Sequence, residues 1–123
     1  MNFRKWLEQT EELQQLVDQL LKEYPQLKKL SAWENEFKIE LAMIEVEKDA
    51  RSSGIGTAVM QKLNQYADMV GKPIVLSPEP QPRKKKALDN FYRRNGYVNN
   101  KGRNRDDLLS AAFHSTMYRR PNS

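Results

Sequence analysis

Apolar residues recur at helical spacing in three separate stretches of the chain. The first stretch predicts an amphipathic helix from about Phe3 to Glu23, which Pro25 ends. The second begins at Ile55 and closes at Gly71, a residue type that suits the C-terminal cap of a helix. The third is predicted to run from about Arg83 to Arg94. Three helices of ordinary length follow from the periodicity alone.

Between these helices lie shorter segments with strand-like patterns. Leu27–Trp33 and Phe37–Val46 flank a short polar link and predict an antiparallel hairpin. Ile74–Leu76 is a short buried strand, and Tyr97–Val98 and Ser115–Arg119 are predicted as the last strands. Strand, helix and strand in succession form a crossover unit, which makes the second and third strands parallel neighbours. The expected fold class is α/β (α+β), with a mixed central sheet flanked by helices in a single domain of residues 1–123.

The second strand of the hairpin has an irregular alternation. Apolar residues at four odd positions are followed by apolar residues at two even positions: Phe37, Ile39, Leu41 and Met43, then Ile44 and Val46. A β-bulge, in which one extra residue enters a strand, produces such a slip and redirects the nearby backbone groups. A central strand covered on both faces gives the same pattern. The sequence leaves both interpretations open.

A glycine-containing turn separates this strand from the second helix. Backbone N–H groups and the helix dipole meet at a helix N-terminus, so an anion is expected there. The glycines let the backbone approach a ligand, while Arg51 adds a charged donor and Thr57 a hydroxyl. The turn lacks the Gly-Lys-Ser/Thr ending of a Walker loop and the third glycine of a dinucleotide fingerprint. The predicted phosphate contacts are Arg51, Ser52, Ser53, Gly54, Ile55, Gly56 and Thr57.

Together with its surroundings, the turn resembles motif A of the GNAT acetyltransferases. In that motif a strand, ending here at residues 44–46, leads into Arg/Gln-x-x-Gly-x-Gly/Ala and then a helix. Residues 91–97, with the sequence FYRRNGY, are similar to the family's Phe-Tyr-x-x-x-Gly-Phe helix-to-strand junction. The resemblance covers about Glu40 to Tyr118. It implies the GNAT fold with a shortened N-terminal region, and an acetyl-CoA-dependent N-acyltransferase in which Phe91 and Arg94 also contact the cofactor.

Direct acyl transfer to an amine needs hydrogen-bond donors for the developing oxyanion, a base for the ammonium and an acid for the thiolate. Backbone N–H groups from Ile44 to Val46 are candidate donors if the bulge exists, and ordinary strand pairing is the alternative. The resemblance implies that Tyr92 is the acid, although a core aromatic residue would occupy the same position. The resemblance also implies a base glutamate fourteen residues before Gly54, so Glu40 ranks before Glu45 as the base. Each glutamate could equally be a solvent-exposed strand residue with no catalytic role. Water can then accept the proton instead.

Composition narrows the chemistry further. The chain has 123 residues, no cysteine and one histidine, His114, so a thiol nucleophile and a cysteine or histidine-rich metal site are excluded and no metal is expected. Neither a membrane span nor a signal peptide is recognisable, so we expect a cytoplasmic protein, monomeric or homodimeric. The net charge of +5 favours anionic partners.

Basic residues are concentrated in the last third of the chain. They comprise Arg83, Lys84, Lys85, Lys86, Arg93, Arg94, Lys101, Arg103 and Arg105. Such a cluster can bind the 3′-phosphate of the cofactor, a nucleic acid or an acidic protein, or it can be a solvated face. The expected partners are therefore acetyl-CoA and an amine acceptor, either a protein lysine or a small amine. A catalytically degenerate GNAT-fold module that binds CoA, or that interacts with nucleic acid, is the alternative.

Overall fold

The structure is a computed structural model that describes residues 3–50, 53–78, 85–109 and 116–122, with side-chain surroundings given from residue 11 onward and not for residue 85. Its helices are α1 (Phe3–Glu23), α2 (Ile55–Val70) and α3 (Lys85–Arg94). Its strands are β1 (Leu27–Glu34), β2 (Ile39–Val46), β3 (Ile74–Leu76), β4 (Val98–Asn99) and β5 (Met117–Arg119). The predicted order of helices and strands is confirmed.

Several element bounds differ from the prediction for local reasons. The strand β2 starts at Ile39, because Asn35 Oδ1 accepts hydrogen bonds from the N–H groups of Phe37 and Lys38 and turns the chain there. The fourth strand is Val98–Asn99, one residue later than expected. The predicted starts of α3 and β5 fall outside the described residues.

A five-stranded mixed sheet in the order β1-β2-β3-β5-β4 forms the centre of the molecule. The strands β1 and β2 are antiparallel, β2 and β3 are parallel, and β5 pairs antiparallel with both β3 and β4. The parallel pair is the one predicted from the crossover through α2, since a helix is needed to return the chain to the same end of the sheet.

The two faces of the sheet are covered differently. On one face, which we call the helix face, α1 and α2 pack on a row of buried side chains: Ala32, Leu41, Leu76 and Met117. The other face, which we call the loop face, carries the adjacent row Trp33, Glu40, Val75, Tyr118 and Val98. Its centre is covered by the short turn Asp107–Leu109, because Leu109 packs with Val75 and Tyr118.

A β-bulge in β2 explains the irregular alternation. Ser31 pairs with Met43 and Ala32 pairs with Leu41, so Ala42 is the extra residue. The slip comes one position earlier than the pattern indicated, since Met43 is 39% exposed and lies on the loop face. The bulge returns the side chains of Ile44 and Val46 to the helix face, where they pack on the core. The alternative of a strand buried on both faces is wrong here.

Buried polar groups join the hairpin to the end of α2. Lys72 Nζ donates to Glu34 Oε2 at 2.8 Å and to the Asn35 carbonyl at 2.8 Å, and the Tyr66 hydroxyl donates to Glu34 Oε1. The Glu34 and Lys72 side chains are only 1% and 8% exposed. Burial, reinforced by the hydrogen bond to Glu34, raises the pKa of Tyr66 well above its usual value. We call Glu34, Tyr66 and Lys72 the buried triad.

A second ion pair lies at the same end of the sheet. The Arg119 guanidinium donates to both carboxylate oxygens of Asp68, at 2.8 Å and 3.0 Å, and the Asn122 N–H adds a third bond at 2.8 Å. The hydrogen bond from Arg119 lowers the pKa of Asp68. The pair fastens the end of β5 to the last turns of α2. None of the helices in the described ranges is both long and apolar enough to cross a membrane.

Candidate active site

The parallel strands β2 and β3 stop pairing before β2 ends. Their last paired residues are Leu41 and Leu76, and β2 continues to Val46. The edge of β2 from Ala42 to Val46 is therefore not paired with β3, and we call the region beside this edge, past Leu76, the fork. It lies outside the carboxyl ends of two parallel strands, where α/β sheets bind their ligands.

Backbone amide groups of β2 point into this fork. The Glu47 N–H donates to the Gln26 carbonyl at 2.8 Å, which is on the β1 side of the strand. Because successive N–H groups of a strand alternate between its two edges, those of Ile44 and Val46 point to the opposite side. The ladder between β2 and β3 ends at Leu41, before both residues. The two predicted oxyanion donors thus lie on the edge of β2 that faces the fork.

The start of α2 supplies further amide groups. Gly54 caps the helix with φ 84° and ψ 4°, a left-handed conformation that favours glycine. The helix's first hydrogen bond runs from the Ala58 N–H to the Gly54 carbonyl at 3.0 Å. The N–H groups of Ile55, Gly56 and Thr57 therefore have no partner within the helix, as at any helix start. This arrangement suits an anion.

Ser53 has a different local role from its neighbours. Its N–H donates to the Ala50 carbonyl at 3.1 Å and its hydroxyl donates to the same oxygen at 2.5 Å. Both of its donors thus close the turn before α2. The predicted phosphate contacts Arg51 and Ser52 lie outside the described residues.

Gly56 serves packing between helices. A Cβ atom at this position would lie 3.2 Å and 3.3 Å from two ring atoms of Phe91, tighter than ordinary van der Waals contact. The close approach of α3 is thus one reason for a glycine at this position, and the predicted approach of its backbone to a ligand stays a prediction. Because Gly56 has no side chain, Phe91 and its helix α3 can pack closely against the first turn of α2.

Tyr92 lies in the core beside that contact. Its side chain is 6% exposed, and its ring meets Phe91 edge-on at 5.1 Å between centroids and Tyr97 at 6.0 Å. Tyr92 is therefore a core aromatic residue, and it follows directly after Phe91, the residue of α3 that contacts the first turn of α2 at Gly56. Arg94, by contrast, is exposed in the last turn of α3.

The two candidate carboxylates lie on the loop face at different distances from the fork. Glu40 pairs with Val75, one position before the last paired residues, and its side chain is partly buried. Glu45 is farther along β2, and its Oε2 lies 3.9 Å from Lys29 Nζ. Glu40 is therefore the carboxylate nearest the closed end of the fork, while Glu45 has a lysine partner at the surface.

Part of the basic cluster borders a separate groove. This groove has a volume of about 410 Å³ and is lined by Arg93, Tyr97, Val98, Asn99, Lys101 and Asn104. Lys86 and Arg103 are exposed, Arg105 is paired with Asp107 at 3.1 Å, and Arg83 and Lys84 lie outside the described residues. The structure thus brings Arg93 and Lys101 together and leaves the other described cations dispersed.

Sequence reasoning missed Ser77. Within the described ranges, its Oγ is the buried side-chain polar atom that has no hydrogen-bond partner. The only sequence signal was its place directly after the buried strand β3 and before Pro78, where the chain leaves the sheet.

Comparison with known proteins agrees with this geometry. Three solved structures share the fold: the anti-CRISPR protein AcrVA5 (23% identity, TM-score 0.53, covering 72% of this chain and 85% of that one), Ard1 from Thermoplasma volcanium (16%, 0.55, 89% and 80%) and nourseothricin acetyltransferase (19%, 0.56, 76% and 56%). A search of curated proteins finds no match. The acetyltransferase (GNAT) domain family matches residues 15–99. The chain therefore belongs to the GNAT acetyltransferase family, as its two motifs indicated.

Proposed function

We propose that the protein transfers the acetyl group of acetyl-CoA directly to a primary amine, on a protein lysine or a small molecule. The family implies acyl transfer from acetyl-CoA. The observation that carries the proposal is the juxtaposition of the fork with the start of α2. An elongated ligand with an anionic part and a reactive end has matching groups there: helix amides at Gly56 and Thr57, and the strand amide of Ile44.

In this proposal, residues of the fork and Tyr92 of α3 carry out the parts of the reaction. Acetyl-CoA supplies an activated acyl group on sulfur. The Ile44 N–H, which points into the fork, donates to the carbonyl oxygen as negative charge develops on it. Glu40 accepts the proton that the amine loses, directly or through water, and Tyr92 donates a proton to the departing sulfur. The amine nitrogen forms the new bond to the acyl carbon as the carbon–sulfur bond breaks.

The loop face is the side from which we expect the acceptor to approach. Glu40 projects from that face, whereas the opposite face is filled by α1 and α2. We therefore assign acceptor binding to the loop face and to the segment after β4. The exposed cations Lys101 and Arg103 in that segment favour an acceptor with nearby negative charge.

Binding and turnover test the proposal separately. Titration calorimetry should show saturable acetyl-CoA binding, and incubation with panels of amines and lysine peptides should release free CoA thiol. Because the protein has no cysteine, a thiol reagent reports CoA alone. Absence of acetyl-CoA binding at high micromolar concentration would overturn the proposal.

The choice of base is tested by matched substitutions on the same strand. Glu40→Gln should lower kcat about 100-fold, because it removes the proton acceptor beside the fork without changing the side chain's size. Glu45→Gln loses only the surface pairing with Lys29 and should keep kcat within about twofold. A larger loss of kcat for Glu45→Gln would make Glu45 the base. Equal losses in the two variants would overturn the choice of Glu40.

A CoA-binding module without catalysis is the second candidate. Two observations favour it: Tyr92 is packed in the core, and Glu45 has a cationic partner. Acetyl-CoA would then bind without release of thiol across broad acceptor panels. A nucleic-acid-interacting module, which the groove of Arg93 and Lys101 favours, would instead bind oligonucleotides with affinity that falls steeply as salt rises.

A further inference from the structure

Ser77 occupies the closed end of the fork. It follows Leu76, which is the last residue of β3 and pairs with Leu41 on one side and Met117 on the other. Side chains alternate along a strand, and continuation of that alternation past Leu76 would return Ser77 to the face of Val75, the loop face. Glu40 pairs with Val75 and therefore lies on the same face, one row deeper in the sheet.

The hydroxyl of Ser77 is unusual among the described side chains. Its Oγ is buried, yet it has no hydrogen-bond partner there. Buried polar atoms in folded proteins nearly always have a partner, and one without a partner needs a specific explanation. At the amino end of the same strands, the buried polar atoms of Glu34 and Lys72 are all bonded to neighbours. The fold thus provides hydrogen-bond partners for these buried polar groups. Ser77, which has none, lies at the fork, where we expect the ligand to bind.

We propose that the Ser77 hydroxyl hydrogen-bonds the acyl thioester of bound acetyl-CoA. This inference rests on the proposed function. The phosphate groups are assigned to the start of α2 on the helix face, so the opposite end of the ligand is the part that reaches the closed end of the fork. There it meets the Ile44 amide on one strand and Ser77 on the other. The acyl group must also lie near Glu40, and Ser77 is one row from that carboxylate.

A hydroxyl fits the thioester because it can donate to the carbonyl oxygen. Ser77 then holds the acyl group in the fork with its reactive carbon exposed to the loop face. No bond to Ser77 forms or breaks, and the hydroxyl keeps its proton throughout. The role is binding and orientation of the reacting group, which adds a side-chain donor to the backbone donor on β2.

A cysteine placed at the site can report its proximity to the CoA sulfur. The protein has no cysteine, so Ser77→Cys carries a single thiol in nearly the same volume. Under mild oxidation, CoA should form a mixed disulfide with this variant, seen as a mass increase of one CoA, because a disulfide requires the two sulfurs to meet with defined geometry. Excess acetyl-CoA should block the reaction by occupying the site.

The matched control is Ser31→Cys, the same substitution at an exposed position of β1 on the same face of the sheet. Its exposed thiol should form disulfide at a background rate that acetyl-CoA does not affect. If wild-type protein binds acetyl-CoA but acetyl-CoA does not slow trapping at Ser77→Cys relative to Ser31→Cys, the Ser77 inference is overturned and the proposed function stands. If wild-type protein does not bind acetyl-CoA, both are overturned.

Removal of the hydroxyl gives a second, independent measurement. Ser77→Ala should lower kcat/KM for acetyl-CoA about threefold to tenfold, the loss of one neutral hydrogen bond. In the free protein, the same change removes an unsatisfied polar atom and should leave the melting temperature unchanged or higher. A lower melting temperature with unchanged kcat/KM would mean that Ser77 only supports the fold.

Discussion

The two ends of the parallel pair β2 and β3 treat their polar groups in opposite ways. At the amino end, the buried triad and the Asp68–Arg119 pair give each carboxylate a cation. At the carboxyl end, β2 and β3 stop pairing, the Ile44 amide is on the edge of β2 beside the fork, and Ser77 Oγ has no partner in the described structure. The difference separates stability from function within one sheet. Interactions completed internally hold the fold, and interactions left incomplete are available to a ligand.

The buried triad should show the largest effect on stability. Lys72→Met leaves the Glu34 carboxylate buried without its cation and should cost about 3–5 kcal/mol in the free energy of unfolding, measured by urea denaturation. Glu34→Gln/Lys72→Met should cost less than the single variant, because no uncompensated charge remains. Lys62→Met, at an exposed position of α2, is the control. If Lys72→Met lowers the free energy of unfolding by less than about 1 kcal/mol, the buried triad does not stabilise the fold as proposed.

Tyr92→Phe should produce a catalytic effect as large as that of Glu40→Gln. Loss of the proton donor should lower kcat about 100-fold without changing acetyl-CoA affinity, measured by thiol release and calorimetry. Tyr97→Phe is the matched control, since it removes a hydroxyl bonded to Asn64 Oδ1 at 2.9 Å and should cost about 1 kcal/mol of stability while kcat is retained. If Tyr92→Phe resembles the control, Tyr92 belongs only to the core.

Two glycines with similar conformations allow the comparison to be sharpened. Gly54 and Gly71 both have positive φ values, 84° and 71°, and nothing within 4 Å of an added Cβ. Alanine at either position should cost about 1–2 kcal/mol of stability. Only Gly54→Ala should also weaken acetyl-CoA binding, about tenfold, because its methyl group enters the space beside the helix amides. If calorimetry shows that Gly54→Ala and Gly71→Ala bind acetyl-CoA with equal affinity, the cofactor's phosphates bind somewhere other than the start of α2.

The Asp68–Arg119 pair should give the smallest effect, visible as pH dependence. Its hydrogen bonds lower the pKa of Asp68 below the unfolded value, so the stabilisation is present above the unfolded pKa and is lost as pH falls through the folded one. Between about pH 5 and pH 2, wild-type protein should lose roughly 1 kcal/mol more than Asp68→Asn in urea titrations. Asp18→Asn, exposed on α1, should follow wild type. Parallel curves for wild type and Asp68→Asn would contradict the pairing.

The sequence predicted the features that depend on neighbours in the chain. Periodicity located α1 and α2 with their observed ends, and broken alternation indicated the bulge in β2. Contacts between distant segments were not predictable, because they depend on packing that no local pattern records. The link between Glu34 and Lys72 is one such contact, and the approach of Phe91 to Gly56 is another. Ser77 was missed because only its surroundings distinguish it from an ordinary loop serine.

The extra residue at Ala42 makes β2 more sensitive to deletion of a residue than to substitution of one. Because it resets which side chains face the core, deleting it would turn Ile44 and Val46 outward and direct Glu45 toward α1 and α2. The same event would reverse the direction of the backbone amides downstream. We therefore expect homologous chains to vary in side-chain identity along this strand while preserving its length.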